Sequence, residues 1–96
     1  MKRDEALRLL KIHKTTLSDH FAVTRLALFG STARDAADLN SDIDILIAFD
    51  GPATSKRYFG TQFYLEDLLG QPVDLVTEKA LRQELRSTIE QEAVDV

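Results

Sequence analysis

The chain has no cysteine and no tryptophan, and only one methionine, two prolines, two histidines and four glycines among its 96 residues. Without cysteine there is no disulfide framework, no thiolate nucleophile and no sulfur-ligated zinc, and two scattered histidines cannot build a histidine-rich metal site. Any metal must be bound by oxygen. No apolar run approaches the roughly 20 residues that span a bilayer. Met1-Lys2-Arg3 is followed by the charged, amphipathic DEALRLLKIHK and not by a continuous apolar stretch. A cytoplasmic chain with no leader and no membrane partner is the expectation. Basic residues are also short: twelve Lys and Arg, spread without a cluster, face sixteen Asp and Glu for a net charge of −4. A general nucleic-acid surface would need a basic face to displace counterions, so none is expected. There is no internal repeat, low-complexity tract or linker.

What remains is the composition of an ordinary globular chain, 44% hydrophobic and 29% charged, long enough for one domain over residues 1–96 and too short for two. Residues 4–19 place Ala6, Leu10, His13 and Leu17 at spacings of three and four, with Leu7 and Leu9 widening the stripe, and predict a helix started by Asp4. VTRLALF (23–29) predicts a strand ending at Gly30, and Thr32 to Ala37 a short helix. DIDILIAF (42–49) predicts a second strand, closed by the Asp50-Gly51-Pro52 turn. Ser55 to Leu69 predicts a helix with Tyr58, Leu65, Leu68 and Leu69 on one side, Gly70 just past its end and Pro72 as a stop. PVDLVT (72–77) is a third strand, and Glu78 to Glu92 a last helix with Leu81, Leu85 and Ile89 in register. The order α-β-α-β-α-β-α indicates an α/β (α+β) fold, a small mixed sheet flanked by helices. Only a dozen residues join the first two strands, so these are expected to run antiparallel.

The second strand carries the chemistry. Side chains alternate along a strand, so Asp42, Asp44, Leu46 and Ala48 share one face while Ile43, Ile45, Ile47 and Phe49 share the other. Two carboxylates whose Cα atoms lie roughly 6.5–7 Å apart, beside an apolar layer, raise each other's pKa unless a cation neutralises them. Magnesium suits such a pair, because it takes oxygen ligands, keeps waters and is commonly shared with substrate phosphates. Asp74, between Val73 and Leu75, can join them as a third strand acid. Taken singly, each acid also has a plainer role: Asp42 at a strand entrance, Asp44 facing water, Asp74 at the end of a loop.

Upstream, Phe29-Gly30-Ser31-Thr32 leaves a strand and opens a helix, an arrangement whose free N–H groups attract phosphate. The same residues serve equally as a simple connection with Ser31 or Thr32 as N-cap. Arg34, three positions on, either reaches that phosphate or pairs with Asp35 or Asp38 at the surface. Ser41 more naturally shapes the turn before Asp42 than touches substrate. His13, on the buried stripe of the first helix and with no nucleophile or acid near it in sequence, reads as a structural imidazole. Tyr58, Phe59, Phe63 and Tyr64 give the third helix more aromatic surface than one face buries, which suggests a partner contact.

Gly30-Ser31, ten intervening residues, then Asp42-Ile43-Asp44-Ile45 resembles the signature of the DNA polymerase β-like nucleotidyltransferase superfamily. The fuller string, GSTAR followed by SDIDILI, is similar to the minimal nucleotidyltransferase (MNT) family, and VDLV resembles the strand bearing that family's third carboxylate. The resemblance is strongest over residues 23–77. Asp35 departs from the pattern, standing where GSxARG commonly has glycine; it either adds an acid beside the phosphates or points outward. The resemblance implies the nucleotidyltransferase fold and transfer of AMP from ATP to a hydroxyl acceptor, with two Mg2+ ions held by Asp42, Asp44 and Asp74. It implies a nucleotide-binding set of Gly30, Ser31 and Arg34. It also implies a partner, a HEPN-domain ribonuclease toxin of a toxin–antitoxin pair, neutralised by adenylylation of a tyrosine. Two other functions fit the chain: a non-catalytic antitoxin that acts by binding alone, and a small-molecule nucleotidyltransferase in which a homodimer replaces a missing substrate domain.

Overall fold

The computed structural model describes residues 1–38 and 40–96. Its elements are α1 (Arg3–Phe21), β1 (Val23–Phe29), α2 (Gly30–Ala33), β2 (Ile43–Phe49), α3 (Ser55–Leu69), β3 (Val73–Thr77), a 3-10 turn (Glu78–Ala80), α4 (Gln83–Glu92) and β4 (Val94–Asp95). The mixed α/β architecture matches expectation, with a short fourth strand added at the end. Strand order in the sheet is β3-β2-β1-β4. β1 runs antiparallel to both β2 and β4, whereas β2 and β3 are parallel. The reason is connection length: one helical turn joins β1 to β2, while the fifteen-residue α3 gives β2 and β3 a full crossover.

The sheet separates two apolar layers. On one face Leu26, Leu28, Ile43, Ile45, Ile47, Val73 and Leu75 pack with Ala6, Leu10 and Leu17 of α1 and Leu65 and Leu69 of α3. On the other, Ala27, Phe29 and Leu46 meet Leu81, with Ile89 and Ala93 packed against them. The strict alternation of β2 is thus real, and its second face is covered by α4. Asp44 sits on that strand near its start, where cover gives way to solvent.

Local chemistry explains the boundaries. α3 is capped by Thr54, whose hydroxyl accepts from the Arg57 N–H, and ends at Gly70 in the left-handed region (φ 70°). The guanidinium of Arg57 donates to the carbonyls of Asp50 and Pro52 and ties the turn before the helix. α1 is longer than predicted: it begins at Arg3 behind Lys2, and Asp4 and Glu5 occupy its first turn, where they favour the positive end of the helix dipole. It ends at Ala22, a non-glycine residue with φ 61°. α2 covers Gly30–Ala33 and not Thr32–Ala37, because Asp35 turns left-handed (φ 58°) and stops the helix.

The predicted helix over residues 78–92 is broken. Thr77 caps the 3-10 turn through its hydroxyl, and Leu81 is extended (φ −71°, ψ 123°), which drops its side chain into the second apolar layer. Leu81, Leu85 and Ile89 therefore do not form one stripe, and Leu85 is exposed. Arg25 fastens this region, its guanidinium reaching Glu78 (3.1 Å), Glu90 (2.8 Å) and Asp95 (2.8 Å). No helix among the described residues is long and apolar enough to cross a membrane.

Candidate active site

Three acids, a glycine turn and an arginine meet at the end of the sheet where β1 finishes and β2 and β3 begin. Asp44 is opposite Phe29 in the antiparallel ladder and opposite Asp74 in the parallel one. Adjacent strands lie about 4.8 Å apart, so the two aspartates are immediate neighbours, although thirty positions separate them in sequence. Asp42 lies one residue before β2 and is exposed, as is Asp74; Asp44 is the partly buried member. The Asp44 carboxyl is pushed up to about 6, first by burial, then by the charge of Asp74 and a hydrogen bond with it, then by Asp42, against the opposing pull of Arg34. The crowding anticipated from the sequence is therefore present, and it falls mainly between Asp44 and Asp74.

Because Phe29 is the residue opposite Asp44, the next residue, Gly30, lies against the Asp44 side chain. A β-carbon at Gly30 would collide with the Asp44 carboxylate, and Gly30 also has φ +73°. Both facts require glycine. The turn continues through half-buried Ser31 and buried Thr32, whose Oγ1 has no hydrogen-bond partner among the described residues. Arg34 follows as the cap of α2.

Arg34 does not pair with Asp35 or Asp38. Its Nη1 donates to Glu92 Oε1 at 2.6 Å, and the Gly30 N–H donates to Glu92 Oε2 at 3.3 Å. Asp35 points elsewhere, accepting from the backbone N–H of Arg3 at 3.0 Å. Its carboxylate thus serves the start of α1 and is turned away from the glycine turn. Ser41 hydrogen bonds with Asp38 and shapes the loop, as expected.

Sequence reasoning missed Glu92, which lies 62 positions from Gly30 and 58 from Arg34, and no local spacing points to it. The remaining polar groups are structural. His13 Nδ1 is 2.6 Å from the Tyr64 hydroxyl, and the Tyr58 hydroxyl donates to the Leu75 carbonyl. Burial and the charge of Asp74 raise the Tyr58 phenol. Phe59 and Phe63 stay exposed, with ring centroids 6.4 Å apart.

Oxygen is the only donor type at the acidic cluster, which is hard-cation chemistry. Among the described residues, no group of three or more acidic or histidine side chains is arranged to hold a metal by itself. A cation here would share its coordination with water and a substrate oxygen, the habit of Mg2+ and not of a fully caged ion. The crowding of like charges around Asp44 is the feature that such a cation relieves, so the residues fit the group.

The family profile described as nucleotidyltransferase domain matches residues 10–96. The chain is 36% identical over 93 residues to the protein adenylyltransferase MntA of Thermococcus cleftensis, covering 97% of this chain and 94% of that one. A solved structure whose assignment as a minimal nucleotidyltransferase is provisional superposes with a TM-score of 0.84 at 34% identity, over 100% of this chain and 97% of the other. A likeness of fold alone, TM-score 0.65 at 21% identity over 93% of this chain and 68% of the other, relates it to a structure of a tri-AMPylated Shewanella oneidensis HEPN toxin in complex with MNT antitoxin. On this evidence the chain belongs to the nucleotidyltransferase domain family, in its minimal form, and is an enzyme of nucleotidyl transfer.

Proposed function

We propose that this nucleotidyltransferase acts in the cytoplasm as an antitoxin, moving AMP from ATP to a tyrosine hydroxyl of a HEPN-domain ribonuclease toxin. The acceptor oxygen bonds to the α-phosphorus, the bond from that phosphorus to the bridging oxygen of the β-phosphate breaks, and pyrophosphate leaves. The hydroxyl proton passes to solvent. Asp42, Asp44 and Asp74 are the residues that would hold two Mg2+ ions. When bound, Mg2+ neutralises the triphosphate and makes the acceptor hydroxyl easier to deprotonate. Gly30, Ser31 and Arg34 hold the phosphates by backbone N–H, hydroxyl and guanidinium, in line with transfer chemistry that depends on positioning and charge and needs no covalent intermediate.

One observation carries the reading: the parallel register that sets Asp44 beside Asp74, next to the Gly30 turn. The names of the relatives add the protein acceptor. The exposed Phe59 and Phe63 pair on α3 is consistent with a chain that docks on another protein.

The test is incubation with Mg2+, labelled ATP and the HEPN protein encoded beside it, followed by mass spectrometry of that protein. Addition of one or more AMP units on tyrosine is expected. No mass gain, with the toxin still silenced by an Asp42→Asn, Asp44→Asn double variant, identifies a non-catalytic binder instead.

A further inference from the structure

Glu92 stands where the reading above puts the phosphates. Its carboxylate spans two donors, the Gly30 N–H at 3.3 Å and the Arg34 guanidinium at 2.6 Å. A phosphate oxyanion held at this turn would need the Gly30 N–H and a face of the same guanidinium. The single Gly30 N–H cannot serve both anions, and where they meet at the guanidinium, which has donors to spare, their like charges repel. We propose that Glu92 is a built-in competitor for the phosphate cradle, an internal carboxylate that the incoming triphosphate must displace before transfer can begin. The inference rests on the nucleotidyltransferase reading of that cradle.

The surroundings allow the exchange. Glu92 is the last residue of α4, a helix with no fully buried residue. Ile89 and Ala93 hold the helix end against the sheet, and Val94 and Asp95 pair with β1, so the Glu92 side chain can swing out while the backbone stays. Glu90, two positions earlier, is engaged with Arg25 and takes no part in the cradle.

Isothermal titration of a non-hydrolysable ATP analogue in Mg2+, and separately of inorganic tripolyphosphate, tests this in the wild type, Glu92→Gln and Glu92→Ala, with Glu90→Gln as the control. A partly exposed ion pair contributes up to about 1 kcal/mol, so its removal tightens binding of both probes by about fivefold. Glu90→Gln binds as the wild type does. Equal or weaker binding by both Glu92 variants, with melting temperatures unchanged, overturns the competitor role and leaves the cradle standing. Absence of binding by the wild type and every variant overturns the cradle itself, and the competitor with it.

Discussion

At Asp44 two demands conflict, since burial and two neighbouring acids favour the protonated carboxyl while the proposed chemistry needs the charged one. In the free protein this conflict is expected to appear as a pH dependence of stability. With the carboxyl at about 6 in the fold against 3.8 ordinarily, the native state holds a proton that the unfolded chain has released, so stability falls as pH rises through that window. The shift nominally corresponds to about 3 kcal/mol, and solvent screening of this half-buried group reduces it to about 1 kcal/mol. Urea melts in chelator from pH 4 to 8 are expected to show Asp44→Asn more stable than wild type by that amount at pH 7 and equal to it at pH 4. A constant difference across the range contradicts the assignment.

Asp35 shows why a family pattern can be kept by a different residue. Glycine suits a position with φ 58°, and aspartate is among the few other residues that visit that region readily. Here the side chain adds a hydrogen bond to the Arg3 N–H. Asp35→Ala loses the bond and keeps the strain, an expected cost of about 1–2 kcal/mol. Asp35→Gly loses the bond but relieves the strain, and is expected within about 0.5 kcal/mol of wild type. Thermal melts of the two variants check the difference. Nothing in the letters of the sequence distinguishes an aspartate that faces phosphate from one that caps α1.

Elements with their own start and stop signals were legible. α3 has Thr54 before it, Gly70 after it and Pro72 beyond, and its predicted and observed spans agree. β1 is bounded by the end of a helix and by Gly30 and was equally plain. The region after β3 failed because Leu81 satisfies a helical period while lying in an extended residue whose burial is set by the opposite sheet face. β4 has two residues, too few for any alternation, and exists through its pairing with Ala27 and Leu28. α1 ends on a left-handed Ala22, whose N–H closes on Leu17 and Ser18, a position that sequence patterns assign to glycine. Ala22→Gly is therefore expected to stabilise the protein by about 0.5–1 kcal/mol; a lowered melting temperature would mean that the Ala22 methyl group makes contacts worth more than the strain.

Across the whole molecule, the site depends on distances along the chain that local reading cannot measure. Asp42 and Asp44 announce themselves by spacing, and the Gly30-Ser31 turn by its place between strand and helix. Asp74 was legible as a lone acid in an otherwise apolar strand, and the family resemblance gave it the third place; the physical basis of its closeness to Asp44 is the parallel register of β2 and β3, set by the α3 crossover. Glu92 was illegible because its position follows from how α4 packs on the far face. At the acidic end of the sheet Asp42 and Asp74 are exposed and Asp44 is partly buried. A small cavity of about 80 Å³, lined by residues that include Phe49 and Thr77, lies at the other end of β2 and β3. The exposed Asp42 and Asp74 at the opposite end are in keeping with the protein acceptor proposed above.

The most direct measurement is the rate of labelled-AMP transfer from Mg·ATP to the proposed HEPN-domain acceptor by Asp74→Asn, altered only at the acid that β3 contributes and checked for native folding by its thermal melt. Loss of one of the three carboxylates proposed to share the cations predicts a fall of about a thousandfold or more, with binding of the acceptor protein retained. Transfer at the wild-type rate would show that β3 takes no part in the reaction and would contradict a centre built across the two parallel strands.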